Sequence, residues 1–423
     1  MNYKNGLFEF IKNSPTAYHT VESIKNRLLA EGYTELFERD SQGFADGKGH
    51  FVTRDGSSII AWRGKPCGGF MISATHGDSP AFRVKRSPEI SGDYVRLSTE
   101  KYGGMIHYSW LDRPLSLAGR VELKTDTGIE SRLVNIDRDL LTIPSVAIHL
   151  NRSVNDGYKF NPASDLLPLF GLNGVKSVNS LIADSLGVAE DKIVSHDLFL
   201  YNREEGRTLG ANGEFILSPR LDDLACVYAS LEAFLTASDT DAVPVLAVFN
   251  NEEVGSETKQ GAASTFLDYT LRRIAGESYF AMLSDSFMVS ADNAHAKHPN
   301  HPELSDSVAA PILGGGVAVK YNANQRYATD ALSDAVFRTL ADRAGATLQS
   351  YSNRADMPGG STLGSIADTR VSVPTVDIGI PQLAMHSASE LIAEADLSDM
   401  VKILRELYLS RLSVSGDKID ILK

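Results

Sequence analysis

Two kinds of hydrophobic pattern alternate along the chain and predict alternating helices and strands. Residues 14–36 place apolar side chains at helical spacing behind a Ser-Pro start signal, which predicts an amphipathic surface helix. Short continuous apolar runs, by contrast, are typical of buried strands. Such runs occur at residues 57–64, 68–75, 242–249, 278–283, 316–320 and 371–380.

The order of these elements predicts an α/β fold. Residues 222–237 carry apolar side chains on one helical face and come directly before the run 242–249. Near-continuous apolar strands that alternate with helices predict a mostly parallel sheet covered by helices on both faces. We expect residues 1–84 and 213–423 to build this unit together.

The middle of the chain has a different hydrophobic pattern. From residue 85 to 212 short β-like runs are separated by Gly, Asp and Ser turns, and long helical patterns are few. This pattern predicts a β-rich domain inserted into the α/β unit.

Composition limits the chemistry that is open to the chain. Its 423 residues favour two domains or one large enzyme fold. The net charge of −13 argues against a nucleic-acid partner. Cys67 and Cys226 are the only cysteines, so neither a disulfide framework nor a thiolate zinc site is available, and a metal would need nitrogen and oxygen ligands.

The N-terminal sequence MNYKNGLFEFIKNSPTAYH contains no basic segment followed by an apolar core. Elsewhere no apolar run approaches the roughly 18 residues that a membrane span requires. We therefore expect a cytoplasmic protein without a membrane partner.

Reactive side chains follow several of the predicted strands. In open α/β sheets ligands bind beyond the carboxyl ends of the strands, so side chains at these positions are candidates for a site. They are His76 and Asp78, Glu252 and Glu253, Asp292, and His386, while Asp222 and Asp223 open the predicted helix. Histidines and carboxylates without cysteine are the ligands expected for a hydrolytic site with one or two zinc ions.

The adjacent Glu252 and Glu253 acquire separate predicted functions in such a site. A two-zinc site needs five side chains as ligands, and a sixth, uncoordinated carboxylate can then take a proton from a water activated by the metals. Neighbouring side chains on a pleated strand end point to opposite sides. One glutamate is therefore predicted to hold metal while the other faces the attacking water.

Each of these features also has a simpler interpretation. Taken alone, paired glutamates usually lie in a solvated loop. N-capping explains one carboxylate of an aspartate pair at a helix start. A single histidine more often forms hydrogen bonds in a core or loop than it binds a metal. His295, His298 and His301 are spaced like a metal cluster, but Pro299 and Pro302 favour a surface or site-lining loop, so we expect them outside the ligand set.

The sequence resembles the M18 family of aspartyl aminopeptidases. The motifs that carry the resemblance follow one another over most of the chain: THGDSP, SPRLDDL, NNEEVGS, VSADNAHAKHPN, KYNANQRYATD, DMPGGSTLG and QLAMHS. The resemblance implies a zinc exopeptidase fold with an inserted dimerisation domain. It also implies a two-zinc enzyme that removes N-terminal Asp or Glu from peptides.

Positions matching the family motifs imply individual roles. The implied zinc ligands are His76, Asp222, Glu253, Asp292 and His386, a set that Mn²⁺ or Co²⁺ would also satisfy. The resemblance further implies that Asp222 bridges the metals, that Glu252 is the general acid/base, and that Asp78 orients His76. Relatives commonly carry Asn where this chain has Asp223, so the choice between the two aspartates as the bridge stays open.

The resemblance also implies a substrate site and an assembly. Lys320, with Tyr327 nearby, matches the position that contacts the acidic substrate side chain, although a lysine extending to solvent is the simpler interpretation. His149 matches a histidine that reaches a neighbouring subunit's active site, and homo-oligomers, commonly tetrahedral dodecamers built from dimers, are expected. Three alternatives stay open: a broader or neutral specificity, a carboxypeptidase or deacylase on the same scaffold, and a scaffold protein with a decayed site.

Overall fold

The computed structural model describes residues 3–357 and 359–423. Pro358, in the motif DMPGGSTLG, and the first two residues lie outside this part of the chain. The helices of the described residues are α1 (Tyr3–Lys12), α2 (Ala17–Ala30), α3 (Val178–Leu186), α4 (Leu221–Thr236), α5 (Phe266–Ala275), α6 (Tyr279–Ser284), α7 (Ala331–Ala344), α8 (Leu363–Ala367) and α9 (Glu394–Tyr408).

The strands belong to three larger sheets and one hairpin. Those of the first half are β1 (Thr34–Glu35), β2 (His50–Arg54), β3 (Ser58–Trp62), β4 (Phe70–His76), β5 (Ala81–Ile90), β6 (Tyr94–Tyr102), β7 (Leu115–Lys124), β8 (Ile129–Asn135), β9 (Leu169–Leu172), β10 (Ile193–Asn202) and β11 (Arg207–Leu209). Those of the second half are β12 (Phe215–Ser218), β13 (Val243–Phe249), β14 (Phe287–Ala291), β15 (Ala294–His295), β16 (Val317–Tyr321), β17 (Leu348–Ser352), β18 (Thr375–Gly379), β19 (Pro381–Leu383), β20 (Glu390–Ala393), β21 (Arg411–Ser415) and β22 (Lys418–Leu422).

A nine-stranded sheet forms the centre of the α/β unit, in the order β1-β2-β3-β13-β4-β14-β18-β16-β17. Its four central strands, β13, β4, β14 and β18, run parallel to one another, whereas β3 and β16 introduce antiparallel pairs. The predicted parallel-core sheet is therefore confirmed, within a sheet that is mixed at its sides. Because the central strands are covered on both faces, their residues are buried without alternation.

Helices cover both faces of this sheet and divide its core in two. Buried side chains of α1, α2, α4, α7 and α9 pack on one face. Those of α5, α6 and α8 pack on the other face.

The register of the parallel strands brings their carboxyl ends to one edge. His76, the last residue of β4, pairs with Phe249, the last residue of β13, and Ala291 at the end of β14 pairs with Ile378. The turns that leave these strands therefore meet at a common edge, which is where a ligand site is expected in an open α/β sheet.

The segment between Ala81 and Asn202 builds a separate six-stranded sheet in the order β8-β7-β10-β5-β6-β9. All its strand pairs are antiparallel, and its buried side chains form a core of their own. A smaller sheet, β11-β12-β20-β19-β15, is separate from the inserted sheet, although its strand β11 falls within the predicted inserted range 85–212. The sheet of the inserted segment begins four residues before the predicted boundary at residue 85; the domain division and a dimerisation role stay predictions.

One strand prediction is wrong. The apolar run 278–283 lies in a short helix, α6, and the strand that leads to Asp292 is instead β14. A run of this length does not distinguish a buried strand from a buried helical turn, because both are apolar throughout. Among the described residues, no helix combines the length and the apolarity that a membrane crossing requires.

Candidate metal centre

The predicted ligand residues come together at the carboxyl edge of the central sheet. His76 ends β4, Asp292 directly follows β14, and Asp222 lies at the start of α4, where its backbone is not yet helical. Glu253 lies on a short 3-10 helix after β13, and His386 follows β19.

Asp222 lies between the two histidines. Its Oδ1 atom is 3.5 Å from Nε2 of His76, and its Oδ2 atom is 3.4 Å from Nε2 of His386. A second carboxylate accompanies each histidine: Asp292 Oδ1 lies 3.8 Å from His76 Nε2, and Glu253 Oε2 lies 3.4 Å from His386 Nε2. The five side chains thus form two groups that share Asp222.

The spacing of these atoms fits metal coordination better than hydrogen bonding. Nitrogen to oxygen hydrogen bonds are usually 2.7–3.2 Å long. Two ligands that bind one tetrahedral zinc ion at 2.0–2.2 Å are held about 3.4 Å apart. In addition, the buried oxygens Asp222 Oδ1 and Glu253 Oε1 have no hydrogen-bond partner among the described residues. Such atoms fit a site that holds cations.

The second aspartate, Asp223, is fully buried beside this centre. Its Oδ2 atom accepts a long hydrogen bond, 3.4 Å, from the backbone N–H of His76. A carboxylate oxygen of Asp223 also lies close to one of Asp292. Burial raises the pKa of Asp223 well above the usual range, and the neighbouring Asp292 and Asp222 raise it further. Of the two aspartates, Asp222 is the one that contacts both histidines.

The carboxylates give the centre a strong preference for cations. Although burial opposes a charged imidazole, the nearby carboxylates of Asp222, Asp292 and Asp78 raise the pKa of His76 well above the usual range. Asp222 and Glu253 likewise overcome the effect of burial and raise the pKa of His386 to about 10. Groups that draw protons this strongly also draw metal ions, which compete with protons for the same atoms.

Glu252 and Glu253 face different surroundings, but not for the predicted reason. The strand ends at Phe249, and the two glutamates lie on the 3-10 helix Glu252–Val254, after Asn251 at a φ of 63°. The expected alternation of a pleated strand is therefore wrong, and the turn separates the side chains instead. Glu253 contacts His386, whereas Glu252 lines a cavity of about 130 Å³ beside the ligand residues.

The surroundings of Glu252 also change its acidity. Burial raises the pKa of Glu252 to about 8. The charges of Asp292 and Asp78 also raise this pKa, whereas His76 lowers it. A carboxyl group with a raised pKa can both accept and return a proton near neutral pH.

Asp78 contacts His76 through both its main chain and its side chain. Nδ1 of His76 lies 3.1 Å from the main-chain oxygen of Asp78 and 3.4 Å from its carboxylate. The carboxylate also accepts hydrogen bonds from the backbone N–H groups of Glu252 and Glu253, each at 3.2 Å, and from the hydroxyl of Tyr102 at 2.6 Å. Asp78 therefore holds the turn that carries the two glutamates as well as touching His76.

Sequence reasoning missed Glu390, a buried carboxylate behind the centre. Its two oxygens accept the backbone N–H groups of Asp222 at 3.0 Å and His386 at 2.7 Å, so it connects the segments that carry these residues. Burial, followed by the charge of Asp222, raises its pKa to about 8. The one available signal was an acid four residues after His386, at the start of a short strand.

Lys320 lies in the wall of the same cavity and does not extend to solvent. It is 2% exposed, its Nζ atom lies 3.5 Å from Asp292 Oδ2, and it lies 5.6 Å from the ring centre of Tyr327. The simpler interpretation, a lysine that reaches solvent, is therefore wrong. Burial alone would lower the pKa of Lys320, but Asp292 and Tyr327 outweigh burial and raise it.

The remaining predicted histidines occupy different places. His149 is exposed on a loop of the inserted segment and does not line the cavity of its own chain. His295 lines the cavity, as expected of a site-lining loop, and its ring centre lies 6.1 Å from that of Tyr351. His298 and His301 are exposed, with ring centres 5.3 Å apart.

Comparison with known proteins identifies the family of the chain. Residues 10–408 match the family described as Aminopeptidase I zinc metalloprotease (M18). The chain is 42% identical to a probable M18 family aminopeptidase 2 of Clostridium novyi (strain NT), over 96% of this chain and 99% of that protein. A protein of the same name from Pseudomonas entomophila (strain L48) is 41% identical over 96% of this chain and 98% of its own length.

Solved structures show the same fold. A chain in the cryo-EM structure of the Ape4 and Nbr1 complex has a TM-score of 0.92 and 36% identity, covering 96% of this chain and 85% of that chain. The M18 aminopeptidase of Thermotoga maritima has a TM-score of 0.84 and 26% identity, covering 96% and 95%. The S. cerevisiae mApe1 dodecamer has a TM-score of 0.84 and 25% identity, covering 96% and 97%.

Proposed function

The chain belongs to the M18 family of zinc metalloproteases and is an aminopeptidase of that family, and on this premise we propose that it removes N-terminal Asp and Glu from peptides with two zinc ions and Glu252 as the general acid/base. The observation that carries the proposal is the position of Asp222, which contacts both histidines on the wall of a cavity that also contains Glu252 and a buried lysine.

The metal ligands we propose form two groups with one shared member. His76 and Asp292 would hold one zinc ion, His386 and Glu253 the other, and Asp222 both. Zinc bound there supplies Lewis acidity, which polarises a peptide carbonyl and lowers the pKa of water to about 7. Asp223 is buried beside the five ligands and would influence their charge without bridging the zinc ions. Asp78 and Glu390 would hold the segments that carry the ligands in place.

Glu252 is the proton carrier in this proposal. Its carboxylate faces the cavity without contacting either histidine of the ligand groups, unlike that of Glu253. In its charged form it takes a proton from the attacking water, and in its neutral form it returns that proton to the leaving amine. Transfer of this kind contributes about 10²–10⁴-fold to a rate.

Lys320 supports the acidic preference. A substrate side chain in the cavity meets a buried ammonium group beside the ring of Tyr327. A substrate carboxylate there would gain an ion pair with that ammonium group, whereas an apolar side chain would gain none. We therefore assign the substrate side chain to Lys320 and Tyr327.

We also propose that the active enzyme is a homo-oligomer, with the tetrahedral dodecamer as the expected form. The fold is similar to that of a solved dodecamer. His149 is exposed on the inserted segment, as a side chain that completes a neighbouring subunit's site must be.

Replacing Glu252 with Gln tests the proton transfer. We expect Glu252→Gln to lower kcat by at least about 100-fold, because the amide cannot take up the proton. Metal analysis should still find two zinc ions per chain, because Glu252 is not a proposed ligand. The matched control is Glu257→Gln, an exposed residue on the same loop. If Glu252→Gln keeps near-normal turnover, Glu252 is not the acid/base.

Two further measurements separate the alternative functions. An aminopeptidase requires a free substrate amine, so N-acetylated peptides should resist cleavage, whereas a deacylase on this scaffold would cleave them. A scaffold protein with a decayed site would contain fewer than one zinc ion per chain. The proposal expects close to two.

A further inference from the structure

The inserted segment returns to the metal centre through a short stretch of backbone. Strand β5 begins three residues after Asp78, and β6 runs back antiparallel to it, so Tyr102 at the end of β6 pairs with Ala81 at the start of β5. This register brings residues 102–106, which we call the return segment, to the edge where the ligand residues lie.

The return segment contacts both sides of the centre. The hydroxyl of Tyr102 donates a 2.6 Å hydrogen bond to Asp78 Oδ2, the oxygen that also accepts the backbone N–H of Glu253. Two residues further, the carbonyl oxygen of Gly104 lies 2.6 Å from Nδ1 of His386. The N–H of Ile106 then bonds the main-chain oxygen of His386 at 3.0 Å.

The contact with His386 has a consequence for its chemistry. A carbonyl oxygen is only an acceptor, so Nδ1 of His386 must carry the proton that it donates to Gly104. When the ring is neutral, the lone pair is therefore on Nε2, the nitrogen that faces Asp222 and Glu253. Between the two contacts, Gly103 has a φ of +74°, and a Cβ atom there would come within 3.1 Å of Glu253 Cβ. Only glycine fits this position without strain.

We propose that Tyr102 is a positioning residue for the catalytic centre, through which the inserted segment orients Asp78 and thereby the turn of Glu252 and Glu253. The hydroxyl has a second contact that fixes its direction. It accepts a 2.9 Å hydrogen bond from Asn251 Nδ2, in the same turn, and so donates its own proton to Asp78. The Tyr102 ring is held edge-on against Phe199 of β10.

The proposal rests on the proposed two-zinc function and adds a role for the inserted segment within a single subunit. Without the Tyr102 hydroxyl, the Asp78 carboxylate retains two backbone N–H contacts and the turn becomes less constrained. Side chains that orient metal ligands from behind commonly contribute 10–100-fold to metal affinity or activity.

Tyr102→Phe tests the role, because it removes one oxygen atom and leaves the ring in place. The matched control is Tyr201→Phe, whose hydroxyl bonds Asn135 Oδ1 at 2.7 Å inside the inserted sheet. We expect Tyr102→Phe to lower kcat about 10-fold with KM changed less than 3-fold. We expect the zinc dissociation constant of the metal-free protein, measured by competition with a chromophoric chelator, to rise about 10-fold.

The outcomes separate this inference from the function itself. If both variants keep wild-type kcat and zinc affinity, Tyr102 has only a structural role and the inference fails. The same conclusion follows if both variants lose thermal stability equally while kcat and zinc affinity stay unchanged. If the wild-type protein binds zinc but cleaves no N-terminal residue, the proposed function fails, while the zinc measurement still decides the role of Tyr102.

Discussion

Replacing Lys320 with Leu tests the proposed specificity by removing one charge from the cavity wall. Lys320 is 2% exposed, and its Nζ atom lies 3.5 Å from Asp292 Oδ2. A substrate carboxylate at a similar distance would gain about 5 kcal/mol of attraction at an effective dielectric constant of 20, before the cost of removing it from water. Truncating one member of a buried charge pair typically costs about 2–5 kcal/mol, part of which is that desolvation.

This energy predicts a large and selective loss of activity. At 1.4 kcal/mol per tenfold change, Lys320→Leu should lower kcat/KM for Asp and Glu substrates by roughly 30- to 4,000-fold. Leu substrates make no ion pair with Lys320, so their kcat/KM should change by no more than about threefold.

The assay compares kcat/KM for aminoacyl chromogenic substrates with Asp, Glu and Leu side chains. Lys297→Leu, an exposed lysine on the neighbouring loop, removes a charge near the site but outside the cavity and should change none of these values. Equal losses for acidic and neutral substrates in Lys320→Leu would contradict the specificity role, because they would show that Lys320 supports the metal centre and does not bind the substrate side chain.

Two further predictions concern stability. Zinc at about 1,000 times its dissociation constant should raise the free energy of unfolding of the metal-free protein by about 4 kcal/mol. An unchanged melting temperature would contradict a zinc site in the folded protein. Burial raises the pKa of Asp396, which accepts the N–H groups of Gly314 and Gly316, from 3.8 to about 6. Because the pKa is raised in the folded state, the protonated side chain contributes stability below about pH 4 that is lost as the pH rises through about 6. Urea unfolding should therefore show that the wild type loses up to about 3 kcal/mol of unfolding free energy relative to Asp396→Asn between pH 4 and 7. A difference between the two proteins that stays constant with pH would contradict this.

The position of the site could be predicted from the sequence for a simple reason. The apolar runs that end in His76 and lead to Glu252 are the parallel strands β4 and β13, and parallel strands end at the same edge. Polar side chains placed just beyond them therefore meet, even though they are far apart along the chain. The choice between one ligand and another at that edge came from the family resemblance and not from the strand pattern.

Other features depend on geometry that has no local sequence pattern. Tyr102 reaches Asp78 because of the register of a hairpin, and a register is set by pairing between distant residues. Glu390 binds backbone N–H groups, which every residue other than proline carries, so no particular neighbour reveals it. Glu252 and Glu253 diverge because of a turn that begins at a positive φ, where a strand was expected.

The most direct test of the proposed zinc aminopeptidase activity measures hydrolysis of a panel of aminoacyl chromogenic substrates, with and without a metal chelator. We expect that Asp and Glu substrates are cleaved fastest, that the chelator abolishes cleavage, and that added zinc restores it. Cleavage that survives complete removal of zinc would contradict the metal centre, and faster cleavage of Leu or Ala substrates would contradict the assignment of Lys320.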